Sequence, residues 1–173
     1  RSAVLLELHR EGEAETEIHR AVQLASRAHQ ERAEAGLRSN LSILCWRRGE
    51  ITEAVSEIER ARHIFTELGE WDQVALTEGT LAHLRLLQGR IDEADELARS
   101  CWNAYRRLRD REGTLQAACV LLAVARARQD EPEADAVIGV AGDGPETGHT
   151  LELAWVDYWM QRGRWHRTRD QLD

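Results

Sequence analysis

The chain has 173 residues, enough for one domain or for a one-dimensional array of small units. Its 23 basic residues are all Arg and are outnumbered by 31 acids, for a net charge of -8. The lack of Lys excludes Schiff-base chemistry and a Walker-type phosphate site, and the acidic balance offers no bulk attraction to a nucleic-acid backbone.

The apolar fraction of 42 % is that of an ordered chain. The longest uncharged run, Gly113 to Ala125, is shorter than the ~20 residues a membrane helix needs. Cys45, Cys101 and Cys119 form no CxxC and read as small core residues of a protein kept in a reducing, cytoplasmic compartment. There is no initiator Met and no capping pattern at Gln171-Leu172-Asp173, so the chain is expected to be a piece of a longer protein.

Over most of the chain a 40-residue period recurs without insertion. Ala14, Ala54, Ala94 and Ala134 obey it, as do Ile18, Ile58, Ala98 and Ile138, and Ala21, Ala61, Cys101 and Ala141. Leu41, Leu81 and Leu121 form a further series, with Gly49 and Gly89, and Leu68 and Leu108. Each period reads as two helices. The first runs through Leu41 to Trp46 and stops at Arg47-Arg48-Gly49, because glycine accepts a left-handed conformation and cations suit a last turn. The second opens at Ile51 and shows Ile51, Ala54 or Val55, Ile58, Ala61 or Arg62, and Phe65 at helical spacing. It closes at Leu68-Gly69-Glu70, after which Asp72 is expected to cap the next helix.

The recurring alanines allow close helix crossing, and stacking is needed because a single pair cannot bury its apolar face alone. In the fourth unit Gln129-Asp130 replaces the turn glycine, Pro132 sits near the first helical position, and Gly142 to Gly148 is expected to break the second helix. The expected units are 1–33, 34–72, 73–112, 113–145 and 148–173.

The pattern Gly49, Ile51, Ala54, Ile58, Ala61, repeated as Gly89, Ile91, Ala94, Ala98, Cys101, resembles the tetratricopeptide repeat (TPR). Ser42 and Ala82 stand at its small position and Leu41 and Leu81 at its bulky one. The 40-residue unit is similar to the longer type found in kinesin light chains and bacterial signalling regulators, including large ATP-dependent transcriptional regulators. The resemblance implies an all-α, right-handed α-solenoid of stacked antiparallel helix hairpins. It also implies a concave groove lined by the first helix of each pair, with Ser39, Asn40, Ile43, Trp46 and Arg47 in one unit, Gly79, His83, Leu86 and Leu87 in the next, and Cys119, Ala123 and Arg126 in the third. Asp157 and Met160 would follow. Asn40 matches one position of the family's carboxylate clamp, but the clamp's lysines are absent.

Chemical alternatives are thin. His9, His19 and His29 lack metal-ligand spacing, and no Cys/His cluster occurs, so no metal or cofactor is expected. Cys45 and His83 face each other in outline as nucleophile and base, against the plainer reading of two packed residues. The scattered Arg and Glu, as in Glu57-Ile58-Glu59-Arg60, read as solvated faces with local ion pairs. Trp155, Trp159 and Trp165 crowd the C-terminal end, as core or as a surface for self-association.

The expected function is therefore non-catalytic recognition of a protein or peptide segment, or of other domains of the same full-length chain, with neither nucleic acid nor membrane as partner. The alternative is an effector-sensing regulatory module of a larger ATP-dependent regulator or signalling ATPase.

Overall fold

The structure, a computed structural model, describes residues 16–141. Among these residues there are seven helices and no strand. They are α1 (16–27), α2 (Glu31–Arg47), α3 (Ile51–Glu67), α4 (Trp71–Leu87), α5 (Ile91–Leu108), α6 (Arg111–Arg128) and α7 (Glu131–Ala141). From α2 onward each helix packs on the next, and α4 also touches α6. The connections are too short for anything but antiparallel neighbours. The result is an all-α solenoid of helix hairpins. The hairpins open at Glu31, Trp71 and Arg111, slightly before the expected 34, 73 and 113.

Every turn is built the same way. One or two residues past the ends of α1 to α6 the backbone turns left-handed, at His29, Gly49, Gly69, Gly89, Arg109 and Gln129, with φ between 53 and 83°. The next residue donates its N–H to the carbonyl five back, as in Glu50 to Cys45 at 2.9 Å and Asp110 to Tyr105 at 3.0 Å. This closes the helix carbonyls in a Schellman arrangement. Glycine reaches that conformation freely, whereas His29, Arg109 and Gln129 do so against Cβ sterics. Arg109 is exposed, so Arg109→Gly is expected to raise unfolding stability by up to about 1 kcal/mol in urea melts.

Helix starts differ more. Asp110 and Asp130 cap with their side chains, each accepting from the N–H three residues on, at 3.0 Å. Asp72 does not cap, contrary to expectation. It lies inside the first turn of α4, where Glu70 is the N-cap residue, and its carboxylate accepts from the Gln73 side chain. An acid there still suits the positive helix end.

The core is drawn out along the array rather than gathered at one centre. Ala54, Ala94 and Ala134 are wholly buried, as are Ala61, Ala98 and Cys101, which is why these registers hold small residues. Leu41, Leu81 and Leu121 fill the larger spaces. The Ser42 hydroxyl, wholly buried, donates to the Ala54 carbonyl at 2.7 Å and ties α2 to α3.

The acidic and basic faces are not all solvated. Glu57 is buried and accepts from Arg38 of α2 at 2.6 Å and from Arg60 at 3.2 Å, and Arg38 also holds Glu34. Sequence spacing predicted only pairs along one helix, and many here cross between helices. Arg128 of α6 pairs with Asp92 and Asp95 of α5, Arg99 of α5 with Glu133 of α7, and Arg85 of α4 with Glu59 of α3. Such pairs tie α3 to α4 and α5 to α6, and the Arg99–Glu133 pair reaches past α6 from α5 to α7.

Candidate functional site

The odd-numbered helices α3 and α5 carry their alanine registers into the core, while α2, α4 and α6 share a second face. Positions 43, 76, 80, 83, 116 and 120 fall on that face by helical spacing, since 76, 80 and 83 are one and two turns apart. On it lies an open cavity of about 540 Å³. Helix α2 contributes Ser42, Ile43 and Trp46; α4 contributes Leu76, Gly79, Thr80, His83 and Leu84; α6 contributes Gln116, Ala117 and Val120. Cys101 and Tyr105 of α5, both buried, reach it from between α4 and α6.

Its best-defined feature is the meeting of Trp46 and His83 across two units. Their rings stand edge to face, centroids 5.0 Å apart at 80°. That is a favourable aromatic geometry, and both side chains are half-buried, so part of each remains open to a ligand. Ile43 and Leu76 are exposed apolar side chains on the same cavity. None of its lining residues is Asp, Glu or Arg.

The expected groove residues divide into three groups. Ile43, Trp46, Gly79 and His83 line the cavity. Ser39, Asn40, Arg47 and Cys119 are on α2 and α6 outside its lining; Ser39 is half-buried with its hydroxyl on the Ala35 carbonyl, and Asn40 and Arg47 are exposed. Leu86, Leu87, Ala123 and Arg126 lie elsewhere. Leu86 is buried against Ala94, Ala123 and Val124, so it is core and not groove. Its register matches Trp46, but its neighbours are Ile91 and Ala94 of α5 and Ala123 and Val124 of α6. Leu87 packs partly on the cluster of Leu41 and Leu81. Arg126 pairs with Glu131 at 2.6 Å, at the end of α6. Asp157, Met160, Trp155, Trp159 and Trp165 lie outside the described residues, as do Ala14 and the Gly142–Gly148 turn.

Leu76, Thr80, Gln116, Val120 and Tyr105 were missed. The first four were legible: they continue the helical stripe through His83 by steps of three and four, one 40-residue register apart. Tyr105 was not legible, because it belongs to a second helix and reaches the cavity only through its packing on Gly113. An added Cβ at Gly113 would fall 2.4 Å from the Tyr105 ring.

Cys45 does not face His83 as a nucleophile. It is buried in the α2–α4 core, and Trp46 meets the imidazole instead. Burial and the nearby Glu53, Glu50 and Glu57 push its thiol up to about 11. Burial likewise pushes Cys101 up to about 12 and Cys119 up to about 11. The thiolate is the nucleophile, so all three are chemically quiet near neutrality. At pH 8 Ellman's reagent is expected to titrate the native chain slowly, half-buried Cys119 first, and all three thiols at once in denaturant. Rapid native labelling of Cys45 would contradict its burial.

Among the described residues no cluster of three or more metal-binding side chains occurs, and no helix is long and apolar enough to cross a membrane.

No protein-family model and no curated protein matches the chain. Solved structures do. BtubC (BKLC) from P. vanneervenii superposes with a TM-score of 0.70 at 18 % identity, over 84 % of this chain and 58 % of that one. The chain therefore spans little more than half of BtubC's length. A putative kinesin light chain from P. anserina, built of nearly identical TPR-like repeats, superposes with a TM-score of 0.70 at 15 % identity, over 96 % of this chain and 85 % of that one. The fold is a TPR-like repeat array. In the array, the cavity falls where α2, α4 and α6, the first helices of successive hairpins, converge.

Proposed function

We propose that this TPR-like array is a non-catalytic recognition scaffold whose partner segment lies across α2, α4 and α6. The observation that carries this reading is the partly open, largely apolar surface, without carboxylate or guanidinium, formed by Ile43, Trp46, Leu76 and His83 from two repeats. On a chain that is 31 % charged, such a patch is set apart. Large aromatic side chains in a preformed cleft are the usual binding anchors, and stacked hairpins lose little entropy on docking. The partner segment is apolar or mixed rather than strongly acidic.

The test is a photo-crosslinking residue at exposed Ile43, compared with the same residue at exposed Glu96 on α5. Protein adducts are expected from position 43 alone, and Trp46→Ala is expected to reduce them at least about fivefold with the helical circular dichroism unchanged. Equal adducts from both positions would sink the reading. So would a Trp46→Ala chain that loses its helix signal, since Trp46 would then be core.

A second reading, an effector-sensing module of a larger regulator, is favoured by one observation. The cavity volume falls in the ~300–1,000 Å³ range of small-molecule sites.

A further inference from the structure

We propose that the cavity beneath Trp46 and His83 is a binding site for one small, uncharged, largely apolar molecule. It rests on the second reading above and shares its surface with the partner reading, yet it would stand if no partner segment were found.

The first support is Gly79. It stands at the middle of α4 with an ordinary helical backbone, not among the left-handed glycines. A glycine there gives up helix stability relative to alanine. Packing does not require it, because an added Cβ would meet only the Cys101 Sγ, at 3.7 Å, an ordinary contact. Gly113 is the contrast: its Cβ would strike the Tyr105 ring, so that glycine is demanded by its neighbour. What Gly79 leaves behind is open volume on the floor of the cavity.

The second support is the chemistry of the walls. With no carboxylate or guanidinium among the lining residues, a cationic guest would lose its hydration without a charge partner, and an anionic one would meet only the His83 imidazole. The Ser42 and Thr80 hydroxyls already donate to the Ala54 and Leu76 carbonyls, at 2.7 and 3.1 Å, so few of the lining groups call for a polar guest. A compact apolar molecule with few polar groups avoids that loss. Edges for it are supplied by Trp46, Leu76 and Val120.

The probe is 2-naphthol, neutral at pH 7, set against 2-naphthoate, which has a similar ring and an ionised carboxylate. Equilibrium dialysis of the full chain is expected to give one naphthol bound per chain, with naphthoate weaker by about tenfold or more. Gly79→Leu fills the floor and is expected to weaken naphthol about tenfold or more, with an unchanged or higher melting temperature. Gly36→Leu is the control, since Gly36 lies in open space on α2 outside the cavity lining, and it is expected to leave binding unchanged. If Gly79→Leu fails to fold, Leu76→Glu serves instead, because Leu76 is 46 % exposed and the change places a charge on the cavity rim without touching the core. It too is expected to abolish naphthol binding. No saturable binding, equal binding of naphthoate, several equivalent sites, or full binding by both variants would each overturn the proposal.

Discussion

Arg38→Met lowers the unfolding free energy by about 3 kcal/mol, and adding Glu57→Leu returns at least half of that loss. The reason is the position of Glu57. It is buried on α3, and the nearest guanidinium, 2.6 Å away, comes from α2. Removing Arg38 strands a carboxylate away from water, with only Arg60 at 3.2 Å to hold it and with Glu34 also released. Removing the Glu57 charge as well takes away most of what was stranded, since an apolar pair of similar volume packs where the ion pair stood. Urea melts of the two single variants and the double variant measure the coupling. If Arg38→Met costs nothing, the pair behaves as an exposed one and its burial is not felt energetically.

Ile58→Ala is the second large effect, at about 3 kcal/mol. Ile58 is 1 % exposed and sits in a cluster fed by Leu41 and Cys45 of α2, Ala54 and Val55 of α3, and Leu81 and Leu84 of α4. It therefore bridges two hairpins. Truncation leaves a cavity that rigid neighbouring helices cannot close, and the loss falls on the interface between units as well as on one hairpin. At position 98, one period later, alanine is native and wholly buried. The aromatic side chains of Trp102 and Tyr105 take up the space there. A melt of Ile58→Ala within 1 kcal/mol of wild type would mean the α2–α4 junction relaxes as freely as that one, an outcome set against the ~2–5 kcal/mol usual for such truncations.

Much of this was legible because it repeats. The alanine and leucine registers, the stop at Gly49 and the solenoid all follow from spacing, since a residue wholly buried in each of three hairpins must recur at the length of a hairpin. What did not repeat was read less well. His29, Arg109 and Gln129 take the same left-handed turn as the glycines, yet nothing in their side chains announces it, and only the beat of the neighbouring turns does. Leu86 was placed in the groove by the family resemblance, at the register of Trp46, but register fixes a helix face only to within its width. A leucine at the edge of the face was drawn under α5, while the larger indole at Trp46 stayed half in the open and met His83. Glu57 read as one charge among many; its burial depends on Arg38, nineteen residues earlier, a pairing that local spacing does not reveal.

The identical turns carry a consequence for array length. Helices start at Glu31, Ile51, Trp71, Ile91, Arg111 and Glu131, an even beat of twenty residues. Removing 51–90 would join Glu50 to Ile91 and return Gly49 to the head of an unaltered second helix, with Ala94 in the place of Ala54. Losing or gaining one whole hairpin therefore changes how many steps the recognition face has and leaves each step as it was. A cut of half that length would exchange inner helices for outer ones and turn the apolar stripe to the wrong side. The number of hairpins is a quantity this architecture can vary freely, while the parity of its helices is fixed.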